Sequence, residues 1–406
     1  MRSSVKFLIT LLAMLAIASC SGSFTYDGGS YNRLSYTERE VSTAPTPEAI
    51  PGKYIVVLKD TVTNVPSAVA SVSISAGIQP ERVYKYALKG FSASIPHNAL
   101  SGVRRNPLVS YVEPDIIFRA VAKPGGGGSG ELQWGVDRID ADKNTGPKGA
   151  GVNVAVFDTG IDTDHPDLAV NYKGGYDFVN NDPSPEDDNG HGTHVSGIIA
   201  ADDNGIGVVG VAPDAGIVAL KVLDASGSGS LSTIIAGIDW VISNKNTFDI
   251  EVANFSLGAY GSSDAFHTAI VNLYNAGVTI SAAAGNSKTW AEYFIPASYP
   301  EVLCVTALAP GDKFASYSNY GYVVDLIAPG SSIKSTWLNG GYSTLSGTSM
   351  SAPHVAGSAA LWLDSHTGSP SDVMNALIST GEYPRKGKWP GDPDGVTEPL
   401  VDAETL

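Results

Sequence analysis

Ser349 lies in Gly347-Thr348-Ser349-Met350-Ser351-Ala352-Pro353-His354, a turn of small residues that runs into an Ala-rich apolar segment. That setting presents a hydroxyl at the start of a helix. A serine hydroxyl is almost wholly protonated at neutral pH, so it attacks only when a histidine takes its proton and a carboxylate fixes that histidine's tautomer. Both types occur upstream: Asp158 in Val156-Phe157-Asp158-Thr159-Gly160-Ile161-Asp162, and His191 in Asn189-Gly190-His191-Gly192-Thr193-His194. Asn286, in Ala282-Ala283-Ala284-Gly285-Asn286, adds a side-chain amide.

Each residue also has a plainer reading. Ser349 alone reads as a helix N-cap, and Asn286 as a turn residue. Asp158-Thr159-Gly160 suits a paired-carboxylate mechanism, but no second Asp-Thr-Gly or Asp-Ser-Gly occurs, so a dimer would have to supply the partner. His191 and His194 share a helix face at i and i+3 and suit a zinc ion, yet no third ligand is evident.

Taken together, the segments in the chain order Asp, His, Asn, Ser resemble the subtilisin-like serine peptidases, the subtilases of the proteinase K and subtilisin group. The resemblance runs over roughly residues 50 to 383. It implies a serine endopeptidase in which Asp158 orients, His191 is general base and then acid, and Ser349 attacks. Asn286 and the backbone N–H of Ser349 would stabilise the oxyanion. Pro353 is expected in the first turn of the Ser349 helix. Substrate would add as a strand to a segment resembling Ser256-Leu257-Gly258, with Ala284 and Gly285 completing the pocket walls and Phe294 at its floor. Medium-sized apolar or aromatic side chains are then expected before the cut bond, the plainer reading being that Phe294 is only core. The alternative is a subtilase-like fold kept only for binding.

The resemblance also implies structural calcium. Asp167 and the loop holding Asp202, Asn204, Ile206 and Val208 match the family's strong site, which uses carboxylate, amide and backbone oxygens. The glutamine that the family's mature amino terminus usually supplies has no clear counterpart near Gly130. The plainer reading is an acidic turn. Asp182, Glu186, Asp187 and Asp188 suit a second, weak cation site, the plainer and favoured reading being surface charge.

The chain has 406 residues, 43% hydrophobic and 16% charged, enough for a sizeable core and more than one unit. Its net charge of −16 argues against nucleic acid, which needs a basic face. The expected partners are protein or peptide substrates and the chain's own propeptide, on an otherwise monomeric enzyme. Arg2 and Lys6 precede an apolar run from Phe7 to Ala18, which reads as a signal peptide over residues 1–20. Leu15-Ala16-Ile17-Ala18-Ser19-Cys20 looks like a lipobox, which would lipidate Cys20 and anchor the exported protein at a membrane; ordinary cleavage near Ala18 is the alternative. Cys304, in an apolar run, reads as an inert buried thiol, so no internal disulfide is expected.

These residues need elements to hold them. Residues 21–49 read as a tether. Residues 50–118 alternate short strands and helices, end in Tyr111-Val112-Glu113-Pro114-Asp115, and resemble the subtilase propeptide domain, a small α+β ferredoxin-like unit. Residues 119–131, with the run Gly125 to Gly128, read as a processing linker cut somewhere between Ala120 and Glu131. From residue 132 to 406, apolar runs alternate with helical stretches, which implies a parallel sheet covered by helices on both faces, with functional residues at the strands' carboxyl ends. Residues after Gly381 read as surface chain, with Pro399 to Val401 an edge strand.

Overall fold

A computed structural model describes residues 45–124 and 133–406. The signal segment, Cys20, most of the tether and the glycine run lie outside the described residues.

The larger unit is built on an eight-stranded sheet. Its order is Lys313–Phe314, Leu303–Ala309, Thr279–Ala283, Ile250–Phe255, Asn153–Asp158, Gly216–Lys221 and Tyr172–Asp177, with Leu326–Pro329 pairing Leu303–Ala309. All pairings are parallel except that of Lys313–Phe314. The inner strands are apolar runs because both faces are covered, while the edge strand Tyr172–Asp177 is polar and glycine-containing. One face packs against helices His191–Ala200 and Thr348–Ser365, the other against Leu231–Asn244 and Asp264–Asn275. The α/β sheet expected from the alternation is present. Asn153–Asp158 is flanked by Gly216–Lys221 on one side and Ile250–Phe255 on the other, so connections diverge there and open a crevice at its carboxyl end. Asp158 ends that strand.

The smaller unit packs helices Val65–Ala76 and His97–Arg104 on strands Ala49–Leu58, Pro80–Tyr84, Gly90–Ser94 and Val109–Ala120 around its own core. Asn64 caps the first helix by accepting Ser67 N–H, and Pro66 opens it with a preset φ. Strand Val109–Ala120 is long enough to leave the small unit and cross the large one. There it pairs antiparallel with Leu257–Tyr260 and with Ser228–Ser230. The chain after Gly381 is irregular, and Leu400 makes isolated bridges to Ile327 and Glu382.

Two carboxylates of the small unit fix this docking. Glu113 accepts from Ser263 Oγ and Ala265 N–H at the start of one helix, and Asp115 from Ser232 N–H and Oγ at the start of another. Both meet the positive end of a helix dipole. In return, Asp239 accepts the backbone N–H groups of Lys85, Tyr86 and Ala87.

Candidate active site

Asp158 is fully buried, and its Oδ1 lies 2.7 Å from His191 Nδ1 and accepts Thr159 N–H at 2.7 Å. The pair can meet because Gly192 has no side chain: a Cβ there would sit 2.2 Å from Gly160 O. The His191 helix therefore approaches the turn after Asp158 more closely than any other residue allows. Its N-terminus is held by Asp187, which accepts Asn189, Gly190 and Thr193 N–H and the Thr193 hydroxyl. Asp187 is thus a buried helix cap, not the surface charge expected, and those hydrogen bonds hold its carboxyl below the usual range despite burial. Asp188 is not free surface charge either. It pairs at 2.6 Å with Lys221, a buried lysine that also donates to Thr159 O and Leu223 O.

Burial pushes the His191 imidazole down, but the charge and hydrogen bond of Asp158, with Asp187 behind, outweigh it and raise the pKa above the usual value. His194 behaves oppositely: burial and neighbouring histidines push it down to about 3. Its Nε2 is shared between the carbonyls of Ile333 and Ser343, so it ties the helix to the Ile333–Trp337 and Gly341–Ser346 hairpin.

Ser349 sits at the start of helix Thr348–Ser365. Its hydroxyl donates to Ser256 O at 2.8 Å and accepts Val121 N–H at 3.1 Å. His191 Nε2 is buried without a hydrogen-bond partner, so the expected Ser–His hydrogen bond is not made while the chain lies in the groove. Pro353 is not in the first turn, because the helix starts at Thr348. It is tolerated for another reason. The N–H that it lacks would have bonded to Ser349 O, and that carbonyl instead accepts the Ser256 hydroxyl at 2.8 Å.

The Asn286 amide is oriented by its partners. Oδ1 accepts Thr348 N–H at 2.9 Å and Thr348 Oγ1 at 3.1 Å, which leaves Nδ2 to donate to Val121 O at 2.8 Å. Gly285 N–H in turn binds Thr348 Oγ1. Ser256, Leu257 and Gly258 form one wall of the groove, with Leu257 opposite Ala120 and Gly258 opposite Arg119. Phe294 lies behind this wall: its ring would touch a Cβ at Gly258 or Gly285, and it packs edge-on to Tyr260 with centroids 5.0 Å apart. Ala284 is buried beside it. The second wall, Ser228–Ser230, was not anticipated, since Ser-Gly-Ser reads as loop and only pairing with Ile117, Phe118 and Arg119 makes it a strand.

The Asp167 carboxylate, fully buried, accepts Val208 N–H at 3.0 Å, the Tyr342 hydroxyl at 2.9 Å and the Asn204 amide at 3.3 Å. Asn204 Oδ1 accepts Ile206 N–H. These hydrogen bonds tie the Asp167 carboxylate to the 202–208 loop and to Tyr342. Among the described residues, no group of three or more His, Cys, Asp or Glu is arranged to hold a metal ion.

Residues 149–393 match the Subtilase family and residues 53–120 match Peptidase inhibitor I9. Subtilisin NAT of Bacillus subtilis subsp. natto is 40% identical over 339 residues, covering 82% of this chain and 85% of its own. An extracellular serine proteinase of Thermus sp. (strain Rt41A) is 38% identical, covering 91% and 92%. A crystal structure of a cold adapted subtilisin-like serine proteinase superposes with a TM-score of 0.60 at 40% identity, covering 68% of this chain and 99% of that one. The chain belongs to the subtilase family, and it is a serine endopeptidase with an I9-type propeptide domain.

Proposed function

We propose that the chain is an exported zymogen whose catalytic unit hydrolyses peptide bonds through an acyl-enzyme on Ser349, with His191 as general base and then acid and Asp158 as its orienting carboxylate. The 2.7 Å contact between His191 Nδ1 and Asp158 Oδ1 carries this reading, because it puts the ring's free electron pair on the buried Nε2. Asn286 Nδ2, already on a peptide carbonyl, is the oxyanion donor. Substrate adds as a strand between Ser256-Leu257-Gly258 and Ser228–Ser230, as residues 117–120 do. Phe294, beneath Gly258 and Gly285, sets the floor of the primary pocket with Ala284, and its bulk favours apolar side chains of medium size.

Residues 50–118 are the inhibitory propeptide, 119–131 the processed segment and 132–406 the catalytic unit. A relative named as extracellular supports export, and Leu15 to Cys20 supports a lipid anchor on Cys20. The released enzyme acts as a monomer. Calcium, held by Asp167, Asn204 and the carbonyls of Asp202, Ile206 and Val208, contributes rigidity and takes no part in the reaction.

Purified mature protein is expected to hydrolyse casein, and Ser349→Ala to abolish that hydrolysis without loss of fold. A folded wild-type protein that leaves casein intact after propeptide removal would support the silent binding protein instead.

A further inference from the structure

Residues 117–124 run through the groove on both sides of one peptide bond. Before it, Phe118 and Arg119 pair with Gly229 and Ser228, and Arg119 and Ala120 with Gly258 and Leu257. Ala120 N–H binds Gly227 O at 2.9 Å. After it, Lys123 and Pro124 pair antiparallel with Ser346 and Leu345. Between these anchored stretches, Val121 N–H lies 3.1 Å from Ser349 Oγ and 3.3 Å from Ser256 O, and Val121 O takes the Asn286 amide at 2.8 Å. Gly347 makes room for this carbonyl, since a Cβ there would stand 2.4 Å from Val121 O and 3.1 Å from Ala122 Cα.

The geometry points to Val121–Ala122 as the bond that the enzyme cuts in its own precursor. The inference rests on Ser349 being the nucleophile. Among the described residues, Val121 O is the backbone carbonyl that the Asn286 amide meets, and the Val121 amide nitrogen is what the Ser349 hydroxyl accepts from. Anchoring on both sides keeps the two ends from drifting during attack. Ser349 Oγ bonds to the Val121 carbonyl carbon while its proton passes to His191 Nε2. The C–N bond to Ala122 then breaks, that proton goes to the departing Ala122 nitrogen, and Val121 is left as an ester on Ser349. Water, deprotonated by His191, hydrolyses the ester, which restores the Ser349 hydroxyl and leaves Val121 as a carboxylate. The uncut chain holds the Ser349 proton on Ser256 O, so the hydroxyl must leave that acceptor for His191 before the cut.

Recognition of the segment is uneven. Phe118 is fully buried, edge-on to Phe266 with centroids 5.1 Å apart, whereas Arg119 is half exposed and pairs with Glu48 of its own unit.

The full-length chain, refolded and sampled from the first minutes by intact mass and amino-terminal sequencing, tests this. We expect a catalytic fragment beginning at Ala122, a propeptide fragment ending at Val121, no cut in Ser349→Ala, and at least tenfold slower processing in Ala122→Pro, whose ring removes the leaving-group N–H. A first fragment beginning anywhere else, with Ser349→Ala still blocking the cut, overturns the bond and leaves the peptidase standing. A purified Ser349→Ala precursor that still cuts itself at this bond overturns the reading of Ser349. If Ala122→Pro does not fold, the wild-type fragment masses decide.

Discussion

The hydroxyl of Ser256 stands in for the backbone N–H that Pro353 lacks. It donates to Ser349 O at 2.8 Å, while Ser256 O accepts the Ser349 hydroxyl at 2.8 Å, so one residue fixes both the backbone and the side chain of the candidate nucleophile. Proline inside a helix normally leaves an orphaned carbonyl one turn earlier. Here that carbonyl belongs to Ser349, and the groove strand satisfies it.

Ser256→Ala should therefore cost about 1–3 kcal/mol, the penalty for stranding a buried carbonyl. In a Pro353→Ala background, where the helix can supply the missing N–H, the same change should cost less than half as much. Urea unfolding of the four proteins, all carrying Ser349→Ala to prevent self-digestion, reads this directly. Equal costs in both backgrounds would contradict the substitution of one donor for the other.

The pH dependence of kcat/KM follows from His191. Burial lowers its pKa, the Asp158 charge and hydrogen bond raise it more, and the net position is above the usual value. A general base works when neutral, so activity rises with pH as the imidazole loses its proton and is lost below that pKa. Asp158→Asn removes the raising influence, so the acid limb should move to lower pH. Turnover should fall about 10,000-fold, as the same replacement does in another serine-peptidase triad. An acid limb that stays in place in the variant would show that Asp158 does not set it.

Glu398 gives a stability signature away from the groove. It is buried, accepts Thr306 Oγ1 at 2.9 Å, and burial, with the charges of Asp392 and Asp394, pushes its carboxyl up to about 7 from 4.5. With the folded pKa raised, the native state keeps a proton that the unfolded chain has already lost. Stability is therefore present at low pH and drains away as pH rises from about 4.5 through about 7, by on the order of 3 kcal/mol. Glu398→Gln, in the Ser349→Ala background, should match the parent at pH 5 and exceed it at pH 8. A variant that is no more stable at pH 8 would contradict the buried, proton-holding carboxyl.

Calcium removal tests the Asp167 loop. A cation at 100 times its Kd stabilises by about 2.7 kcal/mol, so a chelator should lower the Tm by several degrees and added calcium should restore it. Asp167→Asn should abolish the difference between the two conditions. A Tm indifferent to chelator would mean that the hydrogen bonds from Val208, Tyr342 and Asn204 suffice.

The parallel sheet was legible because its strands are apolar runs, and Asp158, Ser256 and Asn286 each end or follow one. The start of helix Leu231–Asn244 carries a sequence signal, Ser230, which caps it by accepting Thr233 N–H. What escaped were features created by tertiary contact. Ser228–Ser230 has no intrinsic strand preference, and Tyr172–Asp177 carries two glycines. Lys221, inside an otherwise apolar strand, is buried on Thr159 O, Leu223 O and Asp188. Asp187 looked like one more acid in a charged loop, and only the fold reveals four donors around it. The end of Val109–Ala120 was invisible as a strand because Leu257–Tyr260 and Ser228–Ser230, which pair with residues 117–120, belong to the other unit.

The most direct measurement is labelling of the matured enzyme with a fluorophosphonate, mapped by peptide mass. We expect one label per chain, on Ser349, with a labelling rate at least a hundredfold lower in His191→Ala. A label on another residue, or an unchanged rate in that variant, would contradict the assignment of Ser349 as a nucleophile activated by His191.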